Sequence, residues 1–232
     1  MTYGDIIFHI ENVFLRLSST NKVFFDIYKK GAWKSRISAS GTGSELEQTK
    51  TIAKEIPKLL MKHKIKSILD APCGDFYWLS RIKLPLKTYI GMDIVPDIIE
   101  NNKRQYEQKN RKFSVGNIIA DNLPKTDLIL CRDCLVHFSN TDIQKTFRNF
   151  QKSGAKYLLT TTFCKHPQNP NIPTGRWRPI DLTAKPFYFP KPLDIINEKC
   201  TEIHGEYADK SLALWRLEDI GEKALGAAKI NK

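Results

Sequence analysis

Short apolar runs alternate with helical patterns between residues 66 and 162, and this alternation limits the possible folds more than any other feature of the chain. The runs are typical of strands buried on both faces of a sheet, and they cover residues 67–70, 89–93, 112–115, 127–131 and 157–162. Amphipathic patterns at 96–108 and 141–153 predict helices between them. Strands joined through helices form right-handed crossovers, so we predict an α/β fold with a mainly parallel sheet.

Two helical patterns precede this alternating core. Residues 1–18 place apolar and polar groups as an amphipathic helix does, which differs from a signal peptide. Residues 44–62 begin at Ser44 and end at Lys62 as a capped helix does, and Pro57 either kinks this helix or divides it in two. We therefore expect a helical cover at the start of the chain.

Proline dominates the segment that follows the core. Seven prolines break any long element between residues 164 and 192, which makes 164–192 a candidate lid. An apolar pattern at 211–217 predicts a final, antiparallel strand, and residues 194–206 supply its partner. The predicted division is a helical cover with a closing loop at 1–43 and a main domain at 44–232.

Charge and cysteine content limit the compartment and the partners. The 232 residues carry a net charge of +12, which favours an anionic partner such as a nucleic acid, a phosphorylated small molecule or a membrane surface, although dispersed basic residues are typical of a solvated surface. No apolar run approaches the ~20 residues that cross a bilayer. The five cysteines, an odd number without a secretory signal, favour the cytoplasm. Cys131 and Cys134 form a lone Cys-x-x-Cys motif, so we predict a buried structural pair and no metal site.

Acidic residues end the first two strands, and a turn of small residues follows the first acid. The first strand runs into Asp70-Ala71-Pro72-Cys73-Gly74, and the second ends at Asp93. An acid at a strand end accepts hydrogen bonds from ribose hydroxyls, and a turn without bulky side chains lets backbone amides approach a ligand. In these residues the sequence resembles class I S-adenosylmethionine-dependent methyltransferases. The resemblance implies a Rossmann-like fold and S-adenosylmethionine as the cofactor.

The turn departs from the family pattern in a way that bears on the cofactor. Pro72 and Phe76 occupy two of the three positions where the family has glycine, and only Gly74 is kept. A pyrophosphate needs a glycine-rich helix start for its negative charge, whereas S-adenosylmethionine is a sulfonium without phosphate. The turn therefore favours the methyl donor over a dinucleotide.

The resemblance implies further contacts to the cofactor. Asp75 either holds its ammonium group or caps the next helix, and Asn117 stands where the family places an acid that binds adenine. A loop of small residues at 33–44 is positioned to close over the cofactor, and its Trp33 or Arg36 is a candidate to hold the methionine carboxylate. The predicted cofactor-binding residues are Trp33, Arg36, Asp70, Pro72, Gly74, Asp75, Asp93, Ile94, Asn117, Ile118 and Arg132.

The family places the segment that matches residues 131–138 beside the transferred methyl group. Asp133 and His137 are the candidates for a general base, because a neutral hydroxyl must lose its proton as it attacks the methyl carbon. His137 has the better-suited ordinary pKa, about 6.5, and its alternative role is to orient the loop. Asp133 alternatively pairs with Arg132 or binds the cofactor ammonium.

Two arginines and an aromatic cluster lie in the candidate lid. Arg176, Trp177 and Arg178 follow one another, and Phe187 belongs to an aromatic run further on. Aromatic faces pack on the apolar side of a sugar ring, and arginines bind phosphate with two hydrogen bonds. We predict that these four residues bind the acceptor; the alternative is packing of the loop against the domain.

Four stretches, SGTGSELEQT, LDAPCGDFYWL, CRDCLVHF and DKSLALW, resemble a bacterial subgroup found among capsule and polysaccharide biosynthesis proteins. The resemblance implies O-methylation of a small saccharide-type or phosphate-bearing acceptor, without a specific nucleic-acid partner. One rival hypothesis is methylation of RNA or protein, although no Asn/Asp-Pro-Pro-Tyr motif follows the fourth strand and no RNA-binding appendage is visible. The other is a non-catalytic S-adenosylmethionine-binding protein, which the missing glycines permit.

Overall fold

A computed structural model describes the backbone of residues 3–226 and the side chains from residue 7 onward. Within this part of the chain the strands form a seven-stranded sheet in the order β3-β2-β1-β4-β5-β7-β6. Strand β7 is antiparallel to both of its neighbours, and the other pairs are parallel, which confirms the predicted Rossmann-like architecture. The strands are β1 Ser67–Asp70, β2 Thr88–Asp93, β3 Arg111–Val115, β4 Leu128–Cys131, β5 Tyr157–Phe163, β6 Asp194–Asn197 and β7 Lys210–Arg216.

The helices of the described residues begin at the signals that the sequence carries. Ser19 and Ser139 cap two of them by accepting hydrogen bonds from the backbone amides of Lys22 and Asp142, and Pro96 occupies the first turn of a third. None of the described helices is both long and apolar enough to cross a membrane. The helices are α1 Tyr3–Leu17, α2 Thr20–Lys29, α3 Leu46–Lys62, α4 Pro96–Tyr106 and α5 Asn140–Lys152.

Two local predictions need correction. Helix α3 runs through Pro57 without a break, because its buried stripe of Ile52, Ile56 and Leu60 packs on the sheet and outweighs the lost hydrogen bond. The helix expected between β1 and β2 is one 3-10 turn, Leu79–Arg81, since Pro85 favours extended backbone just before β2. The turn after β1 therefore leads into no α-helix.

Apolar side chains cover both faces of the sheet. Helix α3 packs on one face, and α5 covers the other through Phe147 and Phe150, which are fully buried. Burial of each such side chain contributes about 1.5–3 kcal/mol to the free energy of unfolding. Much of the predicted lid belongs to the same core, because Leu182 and Phe187 have no exposed surface.

Helix α2 joins the N-terminal segment to the main domain. Val23 and Phe24 are buried, and the Phe24 ring lies 5.7 Å from the ring of Phe138. The predicted division at residue 43 remains a proposal, and its outer bounds at residues 1 and 232 lie outside the described residues.

Candidate functional site

A cavity of about 390 Å³ opens at the carboxyl ends of β1, β2 and β4. This is the edge where parallel α/β sheets bind ligands, and the volume lies within the range of small-molecule sites. The structure brings ten of the predicted site residues together around it: Trp33, Asp70, Pro72, Gly74, Asp93, Ile94, Arg132, Asp133, His137 and Trp177.

The turn after β1 forms one wall of the cavity and holds a second loop against it. Gly74 has a φ of +54°, and a Cβ atom there would collide with the Ser40 hydroxyl, so the turn requires glycine. Asp75 does not line the cavity. Its carboxylate accepts hydrogen bonds from Ser38 Oγ at 3.1 Å and from the Ala39 amide at 2.7 Å. Asp75 therefore anchors the 38–44 loop, which is a structural role in place of the predicted ammonium contact or helix cap.

Two carboxylates form the floor of the cavity. Asp93 accepts hydrogen bonds from the backbone amides of Gly74 and Val95, both at 3.0 Å. Asp70 accepts a hydrogen bond from the side-chain hydroxyl of Tyr89. Burial raises the pKa of Asp70 to about 7 and that of Asp93 to about 6, although these hydrogen bonds oppose both shifts. A carboxylate has about four lone-pair sites, so Asp93 keeps acceptor capacity for a bound hydroxyl group.

The loop of Ser40, Gly41, Thr42, Gly43 and Ser44 closes one side of the cavity. The hydroxyl of Thr42 donates to Glu202 Oε1 at 2.6 Å, and Arg132 Nη2 donates to the Gly43 carbonyl at 2.9 Å. Asp75 binds the residues just before this loop, so Asp75, Arg132 and Glu202, which are distant in sequence, together hold it in place. The role predicted for residues 33–44, closing over a cofactor, remains a proposal.

A buried cluster of four charges lies behind this loop. Arg132 binds Glu198, with Nη2 and Oε2 2.6 Å apart, and its Nη1 lies 3.2 Å from Asp133 Oδ2. Lys210 Nζ lies 2.6 Å from the same Asp133 oxygen and 3.8 Å from Glu198 Oε2. Both cations are thereby neutralised within the protein, and neither is available as a free positive charge for an anionic ligand.

This cluster changes the role expected for Asp133. Burial raises the pKa of Asp133, but the charges of Arg132 and Lys210 outweigh burial and lower it to about 2. A carboxylate of such low pKa is a poor proton acceptor at neutral pH. Asp133 has a φ of +52°, a backbone conformation that non-glycine residues adopt rarely and often at functional sites. Its geometry supports the pairing alternative over base catalysis.

His137 is the cavity residue with an imidazole lone pair. Its Nδ1 lies 3.1 Å from the carbonyl oxygen of Arg176. A carbonyl only accepts, so Nδ1 carries the proton and Nε2 carries the lone pair of the neutral ring. Burial lowers the pKa of His137 below its ordinary value of 6.5, which keeps the ring neutral at pH 7.

Three aromatic side chains line the cavity next to His137 and form what we term the aromatic wall: Phe163, Trp177 and Tyr207. Their ring centroids lie 4.9–6.2 Å apart, with edge-to-face geometry. Trp177 retains 42% of its surface exposure although it lies within this cluster. The wall therefore offers an open aromatic face to a ligand ring.

The structure does not bring the other predicted acceptor residues to the cavity. Arg178 is buried and donates to the carbonyls of Val136 and Pro170 and to Asn140 Oδ1. Burial lowers its pKa to about 10, so it stays charged at neutral pH. Four side-chain hydrogen bonds from Arg178 hold the lid on the segment that carries His137.

Arg176 and Phe187 also have structural positions. Arg176 donates to Asn12 Oδ1 at 3.0 Å and to Glu11 Oε2 at 2.7 Å, and its guanidinium lies over the Phe8 ring. It fastens the lid to α1. Phe187 is completely buried and packs on Phe147. Each of these contacts depends on tertiary packing, which a sequence pattern does not specify.

Three of the predicted cofactor residues also lie away from the cavity lining. Arg36 is exposed, and Ile118 belongs to the core beside α5. Asn117 accepts a hydrogen bond from the Ile119 amide and donates to Asn21 of α2. Helix α2 thus occupies the position next to Asn117, and Phe24 of this helix lines the cavity instead.

Sequence reasoning missed the residues that the 198–210 segment contributes. Glu202, Ile203, Tyr207 and Lys210 line the cavity, and Glu198 supports it from behind. One signal was present, because Lys210 is a single charge at the start of the apolar run of β7. Such a charge is buried only when it is paired.

The cavity as a whole is acidic. Four acidic side chains line it, Asp70, Asp93, Asp133 and Glu202, together with two cations that are already paired. Burial leaves Asp70 only partly ionised at pH 7, because its pKa is about 7. A site of this composition attracts cationic ligands and repels anionic ones. With a neutral imidazole and an aromatic face beside the carboxylates, it can bind a small cation, orient a ring and accept one proton.

Known proteins share a domain and the fold with this chain. Residues 68–154 match a family model described as a methyltransferase domain. The structure resembles human N-acetylserotonin methyltransferase in complex with S-adenosylmethionine, with a TM-score of 0.59 and 12% identity over 86% of this chain and 60% of that one. The chain therefore spans about three fifths of the human enzyme's length. A comparison with curated protein sequences finds no match.

Two other solved structures are similar over most of both chains. The N-methyltransferase NodS from Bradyrhizobium japonicum, in complex with S-adenosyl-L-homocysteine, gives a TM-score of 0.61 and 13% identity, with 83% of this chain and 97% of that chain covered. A methyltransferase from Leishmania major gives 0.62 and 13%, with 85% and 87% covered. Residues 68–154 therefore match a methyltransferase domain, and the chain has the Rossmann-like fold of these solved methyltransferases.

Proposed function

We propose that this protein transfers the methyl group of S-adenosylmethionine to a hydroxyl group of a small, uncharged, saccharide-type acceptor. The observation that carries the proposal is the position of His137, whose neutral ring lines an acidic cavity beside the aromatic wall. The structural neighbours bind this cofactor or its demethylated product but act on varied substrates. They therefore support S-adenosylmethionine as the methyl donor, and the acceptor is inferred from the residues of the cavity.

The residues of the cavity fit the cofactor. When bound, S-adenosylmethionine supplies an electrophilic methyl group on a positively charged sulfur. Asp93 at the end of β2 accepts hydrogen bonds from the ribose hydroxyls, and the turn at Gly74 lets the backbone approach. The negative cavity stabilises the positive charge of the sulfonium. The 38–44 loop, held by Asp75 and Glu202, excludes water from the part of the cavity that holds the cofactor.

The residues of the other half suit a neutral ring with hydroxyl groups. Trp177 packs on the apolar face of a sugar ring, which fixes its orientation. Nε2 of His137 would accept the hydroxyl proton as the acceptor oxygen takes the methyl group; the methyl–sulfur bond would break, with both of its electrons left on the sulfur of the demethylated cofactor. The hydrogen bond that Nδ1 donates to the Arg176 carbonyl would stabilise the imidazolium that forms. Asp133, which carries a stable negative charge, lowers the energy of the imidazolium that forms.

A phosphate-bearing acceptor is less well supported. Arg176 and Arg178 are engaged elsewhere, and Arg132 and Lys210 are neutralised by carboxylates. An anionic group in this cavity would meet unpaired carboxylates and, among the described residues that line it, no free cation. A role in surface polysaccharide biosynthesis and a cytoplasmic location remain proposals that rest on the sequence.

Transfer of a radiolabelled methyl group to matched acceptors tests the proposal. Neutral mono- and oligosaccharides should accept the label in preference to their phosphorylated counterparts, and His137→Asn should remove most of the activity. His9→Asn, which changes an exposed histidine on α1, serves as the matched control and should leave the rate unchanged. A phosphorylated acceptor that is methylated at the same rate by wild type and His137→Asn would contradict the proposal.

A further inference from the structure

Helix α1 contacts the lid through one face, and its opposite face is apolar. Its inner face meets the lid, where Glu11 and Asn12 bind Arg176, Phe8 lies under the Arg176 guanidinium, and Leu15 packs near Gly175. These contacts account for positions 8, 11, 12 and 15, which share one side of a helix with 3.6 residues per turn. On the opposite side, Lys22 Nζ lies 5.7 Å from the centroid of the Phe14 ring, and the large apolar side chains remain exposed to solvent.

The outer face of α1 carries five large apolar side chains on an arc without a charged residue. They are exposed to solvent: Ile7 by 41%, Ile10 by 61%, Val13 by 42%, Phe14 by 50% and Leu17 by 82%. His9 and Arg16 flank this arc. A contiguous apolar face of this kind marks a surface that binds a partner.

The charge around this face indicates which partner it suits. Residues 7–37 hold six basic and two acidic side chains, a net charge of +4, and Lys30, Lys34 and Arg36 are all exposed. A second copy of the chain would place +4 against +4 across a two-fold interface. An anionic lipid surface instead accepts the apolar face at its acyl boundary and the basic groups at its headgroups.

We propose that α1 and the basic residues after α2, Lys30, Lys34 and Arg36, dock this protein on the surface of an anionic lipid bilayer. The apolar arc inserts at the depth of the headgroups, and the lysines bind the acidic lipids.

Co-sedimentation of the full chain with large unilamellar vesicles tests this proposal. We expect binding to vesicles of phosphatidylcholine and phosphatidylglycerol at 3:1, and binding at least ~10-fold weaker to pure phosphatidylcholine. The double variant Phe14→Glu/Leu17→Glu should lose binding to the mixed vesicles by ~10-fold or more. Met61→Glu is the matched control, because Met61 is 58% exposed on α3, and it should bind as wild type does.

A second pair of substitutions separates docking from a folding defect. Lys30→Gln/Lys34→Gln changes only exposed side chains and should weaken binding to the mixed vesicles by ~10-fold at low salt, with little effect on pure phosphatidylcholine. Wild-type protein that fails to bind the mixed vesicles would overturn the proposal. So would a stable dimer in sedimentation velocity that Phe14→Glu/Leu17→Glu dissociates.

Discussion

The turns at the strand ends and the late segment of the chain build the same cavity by different means. The turns at 71–75 and 93–95 follow directly from short buried strands, and their polar groups bind each other locally, as Asp93 binds the Gly74 amide. Residues 164–210 reach the site through packing over long sequence distances, as Lys210 reaches Asp133. Asp93 therefore lines the cavity from a turn, whereas the arginines of the lid hold the lid in place.

The largest effect should come from breaking the buried charge cluster. Glu198→Ala leaves Arg132 buried with one of its two carboxylate partners removed, so the free energy of unfolding should fall by about 3–5 kcal/mol. Urea denaturation measures this change. Glu206→Ala, an exposed residue of the same segment, should change it by less than ~0.5 kcal/mol. Equal effects of the two substitutions would show that the late segment is not held by its charges.

The next effect tests whether His137, in the segment after β4, acts as the general base. His137→Asn should lower kcat by ~100-fold or more with the affinity for S-adenosylmethionine unchanged. Because burial lowers the pKa of His137 below 6.5, the wild-type rate should rise with pH below that value and be constant above it. The variant should lack this rise. An unchanged pH profile in His137→Asn would assign the histidine an orienting role.

The two lid arginines should affect stability and not acceptor binding. Arg178→Ala removes hydrogen bonds to three carbonyls and an amide, so it should lower the free energy of unfolding by about 1.5–3 kcal/mol. Arg176→Ala breaks a half-exposed ion pair and should cost less than ~1 kcal/mol. KM for the acceptor, measured by steady-state kinetics, should stay constant in both. A large increase in KM would restore the arginines to the substrate site.

The smallest effect concerns the aromatic wall. Trp177→Ala removes the open aromatic face and should raise KM for the acceptor by about five- to tenfold, since aromatic contacts contribute about 1 kcal/mol. The dissociation constant of S-adenosylmethionine, measured by calorimetry, should not change. Trp78 lines the cavity beside Arg132. Trp78→Ala should therefore give the opposite result, a weaker affinity for S-adenosylmethionine with KM for the acceptor unchanged. If Trp177→Ala weakened cofactor binding alone, the wall would belong to the cofactor half.

Sequence alone predicted the parts of the site that local structure determines. The acids Asp70 and Asp93 end strands whose apolar pattern is unambiguous, and the need for glycine at residue 74 follows from a tight turn. The sequence did not predict the position of Lys210. That position depends on β7 pairing antiparallel with β5, which aligns Lys210 with Phe163 and brings its charge to Asp133.

The same reasoning explains the misassigned arginines. Arg176 and Arg178 lie in a segment whose sequence resembles a ligand-binding loop. Guanidinium groups also donate to acceptors within the protein, as Arg178 does to backbone carbonyls and Arg176 to Asn12 and Glu11. Only the tertiary structure shows that Val136 and Pro170 supply the acceptors. The prediction of a helix after β1 was wrong for a related reason, because a pattern of strand and turn does not specify the element that follows it.

Calorimetric titration with S-adenosylmethionine at pH 5.5, 6.5 and 7.5 tests the acidic cavity most directly. Asp93 has a pKa of about 6, and only its deprotonated form accepts both ribose hydrogen bonds, so affinity should rise with pH across this range and level off above 7. Asp93→Ala should bind at least ~100-fold more weakly at pH 7.5. Binding of NAD in place of S-adenosylmethionine, or an affinity that Asp93→Ala leaves intact, would contradict the assignment of this cavity.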